Sequence, residues 1–413
     1  MPVATTKPTA QKKGLVDDTN IMQALAENWA PEHTVSPGFD RGGILNKYPG
    51  SHLPVVDNIE PSSLYESFAF LFIRDRRDVQ VFNVAFLGTI LLVPSFLYMF
   101  FVQVTWLHAI VHIVATIIQI GPFHLALHVS AHRPVFKLKS LNDLWLPVFL
   151  GPFFGQTWFT YYFHHIKMHH VADNGPDDTS STLLYQRDKF THFLHYFAHF
   201  YYLVWYELPQ YFFTHNQPTR AIMAVGFEFL SLGIFAFLST INFYAMVVAV
   251  WIPFNLSRTF MMSGNWTQHS FLNRETPLGG GLSNSITIIN SRFNALCFND
   301  GYHASHHLNA HRHWTEHPRH FLQNREIYKD AIVLQQTDYE EVFFCLMTGW
   351  YSRIAKKMVD HAGIGQTIRS VDGRVAWLKE RVKQFSVAEV DAALAAVKKN
   401  RAAAAPSSDE KNE

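Results

Sequence analysis

The run from Val79 to His132 contains no Lys, Arg, Asp or Glu. A soluble fold has little use for so long an uncharged stretch, whereas a helix crossing a bilayer needs about 20 apolar residues. The sequence therefore predicts a helical hairpin, with one span near 82–102 and a second near 106–127, joined by a very short turn. A second hairpin is expected near 221–239 and 241–261, with Glu228 its only acidic residue. Two further apolar stretches, 144–163 and 193–213, are broken by Pro, Gly, His or Glu and rich in aromatic residues. They are expected as interfacial or partly buried helices. The fold class that follows is all-α: an integral membrane helical domain of two transmembrane hairpins (four spans), with interfacial helices and a cytoplasmic histidine-bearing cap.

Charge fixes the expected sidedness. Arg74, Arg76 and Arg77 precede the first span, Arg133, Lys137 and Lys139 follow the second, and Arg220 precedes the third. Arg258 and Arg274 are read at or after the end of the fourth, and the hairpin tips near Thr105 and Thr240 carry no basic residue. Basic residues stay on the cytoplasmic side, so both termini and the segment between the hairpins are expected there. The remaining composition excludes more than it assigns. A net charge of +1 points to no nucleic-acid partner, and 16% charged residues falls below the ~25% of soluble domains. Cys297 and Cys345 form no CxxC motif and no disulfide framework.

Histidine is the outlier, at 24 copies, and it clusters. The groups are His128-Val-Ser-Ala-His132, His165-Ile-Lys-Met-His169-His170, Asn265-Trp-Thr-Gln-His269 and His303-Ala-Ser-His306-His307. Steps of three or four residues put side chains on one helix face, so each group is expected to aim its imidazoles at a common point. With two hairpins, all four groups lie on the same membrane face. Nine imidazoles exceed the four ligands of one tetrahedral zinc; shared between two ions they give four or five nitrogens each, a set that suits iron among the late first-row metals. His124 continues the face of the first group and is read as a ligand, a supporting residue or a polar group inside the bundle. His108, His112, His195 and His199 are read as structural or substrate-facing, and His311, His313, His317 and His320 as solvated or supporting. Asp143, Asp173, Asp177, Asp178 and Asp300 are the candidates to orient the rings. Trp158, Tyr161, Tyr162, Trp205 and Trp266 are candidates to line a channel.

These residues resemble the three histidine boxes of the membrane fatty acid desaturase superfamily, HxxxH, HxxxHH and HxxHH, arranged around two hairpins over about residues 79–318. The resemblance implies a cytoplasmic di-iron centre, O2 as co-substrate and a long apolar substrate channel. Carried across position by position, it makes His128, His132, His165, His169, His170, His303, His306 and His307 iron ligands, with His269 a ninth and Asn265 a water-mediated one. Box one lacks the acidic or glycine residues common in acyl-lipid desaturases. Box three begins with His303 where front-end desaturases have Gln, which disfavours that subtype. The polar run Asp173–Thr182 is similar to one in related hydroxylases, leaving desaturation and hydroxylation of a lipid chain both open. No His-Pro-Gly-Gly motif is found, so electrons are expected from a separate cytochrome b5 or ferredoxin.

An unactivated methylene offers no handle to an acid, base or nucleophile, so a redox metal must supply the chemistry. The expected partners are the lipid bilayer, an acyl or lipid substrate and the electron donor. The endoplasmic reticulum membrane is the expected location. A zinc-dependent membrane hydrolase is the alternative from another class, and it leaves most of the clustered histidines without a role. The chain divides into a cytoplasmic segment (1–78), the membrane domain (79–330), a helical cytoplasmic region (331–387) and an Ala/Lys helix with a disordered tail (388–413). Within the third part, Thr337-Asp-Tyr-Glu340 reads as a capping box, and a helix packing under the metal domain or on the membrane surface is expected after it. Gly279-Gly-Gly281 reads as a flexible loop. No cleavable signal peptide is visible near Met1.

Overall fold

The structure, a computed structural model, describes residues 61–359, 368 and 370–404. The polar segment before residue 61 and the tail after 404 lie outside the described residues. Helix α1 (Leu64–Phe72) is capped by Ser63, whose side chain accepts the Glu66 N–H. The first hairpin is α2 (Val79–Phe101) and α3 (Trp106–His132). Thr105 sets the start of α3 by accepting the His108 N–H at 3.3 Å. After a long helix α4 (Phe190–Thr214), the second hairpin is formed by α5 (Pro218–Ile241) and the rod α6 (Phe243–Gln268), which includes a π-type turn over Val247–Trp251.

Among the described residues, these two hairpins supply the four helices long and apolar enough to cross a membrane. Their outward faces leave Leu87, Leu91, Ile110, Val114, Ile118, Phe229 and Phe237 exposed. Apolar surface on this scale needs lipid against it, and a helix meets the other demand of lipid by satisfying its own backbone. The chain is thus an all-α integral membrane domain, as the charge-free runs predict.

Several expectations change in detail. The stretch 144–163, expected to be broken, runs from a π-helix (Leu141–Leu150) that accommodates Pro147, through a 3-10 turn (Gly151–Phe154) and a loop, into the π-helix that starts at Tyr162. By contrast, 193–213 lies within the single 25-residue helix α4, packed along α5. Arg258, expected at or after the end of the fourth span, lies well inside α6, which continues to Gln268. Its guanidinium pairs with Glu228 of α5 at 3.4 Å and donates to the Gly155 carbonyl at 2.9 Å. That pairing is what permits two charged groups among the spans, and it removes Arg258 from the flanking-charge tally.

The cap beyond the spans has its own core around a short parallel pair, β1 (Thr287–Ile289) and β2 (Val333–Gln335), with Ile288 opposite Leu334. Helix α7 (His303–Leu308) follows β1, and α8 (Tyr339–Met347) packs on the C-terminal part of α6. The N-cap of α8 is Asp338, which accepts the Glu341 N–H at 2.7 Å, not the expected Thr337. Thr337 instead donates to the Glu341 carboxylate, and Glu340 turns away to accept from Ser263. Buried Arg187 braces the cap by donating to the carbonyls of Thr182, Ser270, Arg381 and Lys383.

Candidate metal centre

The chain brings all nine predicted histidines together at the end of α3, as two sets. His128, His132, His165, His170 and His306 form one, and His169, His269, His303 and His307 the other; within each set the ligand atoms lie within 4.8 Å of one another. The two sets adjoin, since the His165 and His169 rings are 5.4 Å apart. The sequence groups do not each converge on one point, as spacing alone predicts. Box two contributes His165 and His170 to one set and His169 to the other, and box three is divided in the same way.

The local backbone explains the division. Tyr162–His169 is a π-helix, and the His170 N–H bonds to the His165 carbonyl five residues back. That wider turn places residues five apart on one face and turns His169 away, a distortion frequent at functional sites. His128 and His132, one ordinary helical turn apart on α3, remain together. Gly281, read from sequence as part of a flexible loop, opens a short helix packed on α7. A Cβ there would sit 2.3 Å from the His307 Cβ, so glycine is what lets α7 come close enough to present its rings.

The hydrogen bonds decide which ring nitrogens face inward. Asp178, an acceptor only, lies 2.7 Å from His169 Nδ1. Asp173 stands 2.9 Å from His307 Nδ1, Asp300 stands 3.4 Å from His128 Nδ1, and the Asn284 carbonyl accepts from His269 Nδ1 at 2.9 Å. Protons held on Nδ1 leave Nε2 as a lone pair. Those lone pairs face one another. In the first set, the Nε2 contacts run His128–His306 2.8 Å, His306–His170 2.9 Å, His170–His165 3.1 Å and His165–His128 3.1 Å. In the second set, the buried Nε2 atoms of His169 and His269 have no hydrogen-bond partner, and neither has His132 Nε2 in the first.

Burial, followed by the charges of neighbouring imidazoles, drives His165, His170, His269 and His306 well below their ordinary value, and His303 to about 3. These rings are neutral at pH 7, the form that binds metal. Converging neutral lone pairs repel unless a cation lies between them. A square with edges like those above has its centre about 2.1 Å from each corner, close to the ~2.0–2.1 Å of a metal–imidazole bond. The residues present therefore fit two metal ions.

Other candidates fall elsewhere. Asn265 is in neither set; its Nδ2 donates to Tyr196 Oη at 2.6 Å and the Ser180 carbonyl at 3.2 Å. His124 is a polar group inside the bundle, its Nδ1 on the Ile120 carbonyl and its Nε2 on Gln156 and Ser257. His108 and His112 share the Ser95 hydroxyl, and His199 pairs with Glu207. Asp143 pairs with Lys139 at the surface and Asp177 is exposed, which leaves Asp173, Asp178 and Asp300 as the acids against the rings. Tyr161 stacks on His165, whereas Trp266 is fully buried on the Arg187 carbonyl and Trp205 faces outward.

His313, expected among solvated or supporting residues, is buried between Asp75 and Asp78. This third cluster already holds cations. Arg77 binds Asp75 at 2.8 Å and Arg133 stands 3.5 Å from the same oxygen, so it ties the start of α2 to the segment after α7. Only the contact geometry exposes this network, because nothing in its spacing distinguishes Asp75 or Asp78 from an ordinary helix cap.

Burial would raise the Asp178 carboxyl, but the His169 imidazole beside it outweighs this and holds it at about 2. Asp178→Asn is expected to weaken metal binding to the four-histidine set by about 10–100-fold, as loss of a ring-orienting partner does elsewhere. A competition titration against a chromophoric chelator measures this; an unchanged affinity would mean that Asp178 does not position His169.

Comparison with known proteins agrees with the geometry. The family model for fatty acid desaturase matches residues 104–338, from the turn before α3 to the N-cap of α8. No curated protein and no solved structure matches the chain. A match over more than half of the chain, spanning every histidine of both sets, leaves one assignment: the chain belongs to the fatty acid desaturase family.

Proposed function

We propose that this protein is an O2-dependent non-haem di-iron oxidoreductase that dehydrogenates an acyl or lipid chain. Membership of the family supports a lipid oxidoreductase. The observation carrying the finer reading is the pair of imidazole sets, five and four, whose Nε2 lone pairs converge while carboxylates and a carbonyl hold Nδ1. His128, His132, His165, His170 and His306 would hold one iron, and His169, His269, His303 and His307 the other. Asn265 would act only through water. A zinc hydrolase needs about three histidines and an acid, which leaves about two thirds of these histidines idle.

Bound there, iron would supply the activation of O2 that removal of hydrogen from an unactivated methylene requires. The chain's own residues orient the ligands and place the substrate. A cavity of about 390 Å³ runs between α3 and α6, with Ile117, Ile120, Leu125, Phe260 and Met261 as its apolar wall. It reaches His128 and His165 of one set and His303 of the other. A long aliphatic chain lying there has its methylenes beside both sets and away from water. The electron donor would be a separate cytochrome b5 or ferredoxin, the location the endoplasmic reticulum membrane, and the site and termini cytoplasmic, in keeping with the basic residues flanking the spans.

Supplying saturated chains and reductant to the iron-loaded protein and weighing the product tests the reaction. Loss of two hydrogens is expected. Gain of one oxygen would replace desaturation with hydroxylation at the same centre, and no product under any donor would overturn the reading.

A further inference from the structure

The cavity that touches both histidine sets is acidic at one end. Glu340, at the start of α8, lines it and is exposed to it. Its carboxylate accepts from the Ser263 hydroxyl at 2.9 and 3.2 Å and makes no ion pair among the described residues. Asp338 lines the same end, and no Lys or Arg is among the residues that line this cavity. A second observation marks the cavity as built for a polar group. His164, which lines it, is buried, is in neither histidine set, and leaves its Nε2 without a hydrogen-bond partner. Basic residues are found in a different cavity, of about 480 Å³, lined by Arg133 and Lys139, and that cavity reaches only His132 among the nine histidines.

Resting on the oxidase reading above, we propose that the substrate held against the metal centre ends in an uncharged or cationic hydrogen-bond donor, a long-chain alcohol or amine, rather than in a carboxylate or phosphate. The physical reason is a difference of affinities. Burial already pushes the Glu340 carboxyl up to about 7. A second carboxylate drawn up to it, in a cavity lined by no Lys or Arg, must share a proton with it or repel it, whereas a hydroxyl or ammonium donates to it. Ser263 and Gln268 are five residues apart on α6, about 7.5 Å along the axis, and Gln268 donates to Asp300 beside His128 and His303. Glu340 is thus close enough to the centre for the polar end of the substrate, and not its remote tail, to be the part it reads.

The test uses the full-length protein in detergent, with binding followed by intrinsic tryptophan fluorescence, and a saturated long-chain alcohol, amine and carboxylate of equal length as probes. The native protein is expected to bind the alcohol and the amine roughly tenfold or more tighter than the carboxylate. Glu340→Gln should bring the carboxylate level with the alcohol, and Glu340→Lys should favour the carboxylate over the amine. Because Glu340 is exposed, the glutamine variant keeps the fold and decides the matter if the lysine variant does not. Equal binding of the three probes, or a preference that neither variant moves, overturns the proposal. Oxidation of each probe by the iron-loaded protein is scored separately. Preference without turnover leaves the head-group inference standing and defeats the oxidase reading, and turnover without preference does the reverse.

Discussion

Replacing His169 with Ala is expected to lower bound iron from two ions per chain to one or fewer and to cut turnover by roughly a thousandfold, equivalent to ~4 kcal/mol of lost transition-state stabilisation. His169 has this leverage because of where the π-turn aims it. Its ring centroid lies 5.2 Å from that of His269 and 5.3 Å from that of His307, and its Nε2 is buried with no other partner. Without it the second set keeps three imidazoles, and Asp178, which is fully buried on its side-chain atoms, loses the ring that balances it. Ser180 and the Asn174 N–H still bond to that carboxylate, so the segment keeps its shape while the metal is lost. His199→Ala is the matching control. His199 pairs with Glu207 on α4, outside both sets, and its loss should leave iron and turnover unchanged. Metal analysis of the two purified variants side by side checks this, and retained iron and activity in the His169 variant would rule the ligand assignment out.

The largest effect on folding is expected at Gly155, a residue that touches no histidine. Its φ is +76°, and a Cβ added there would lie 2.3 Å from the Pro253 carbonyl oxygen and 2.6 Å from the Phe254 Cα. Both atoms are α6 backbone, which cannot yield as a side-chain tip can. The Gly155 carbonyl is also held by Arg258, itself paired with Glu228 of α5, so one turn fastens the segment after α3 to both helices of the second hairpin. Gly155→Ala combines a left-handed backbone, about 1–2 kcal/mol, with overpacking, about 1–3 kcal/mol. It should destabilise the protein by about 3 kcal/mol or more. Gly226 on α5 has nothing within 4 Å of its added Cβ, and Gly226→Ala should be neutral. Thermal unfolding of the detergent-solubilised variants tells them apart; equal melting of both would show that the close approach to α6 is not a constraint.

What could be read from sequence, and what could not, follows from the range of the interactions involved. The four spans were legible because a bilayer acts on every residue of a span alike, and absence of charge is a local property. The observed α3 and α5 contain the expected segments, whereas α2 ends at Phe101, one residue before the expected end, and α6 begins at Phe243, two residues after the expected start. The nine histidines were legible because metal ligands cluster in sequence when helices present them. Their partition was not. It depends on the π-turn at Tyr162–His169, which Tyr-Phe-His-His-Ile-Lys-Met-His does not announce. Five acids stood near the boxes, and only contact geometry separates Asp173, Asp178 and Asp300 from Asp143 and Asp177. Gly281 shows the same limit: a run of three glycines reads as a flexible loop, whereas its third member makes a close approach to His307 that a local reading cannot see. Thr337 and Asp338 are both good caps, and tertiary packing of Glu340 on Ser263 chose between them.

The most direct measurement is the metal content of the purified native protein after reconstitution, with Mössbauer spectroscopy of the iron-57 form to read its surroundings. The two converging sets of imidazoles predict two irons per chain in distinct, nitrogen-rich sites. A single zinc that iron does not displace, or a chain that binds no metal at all, would contradict them.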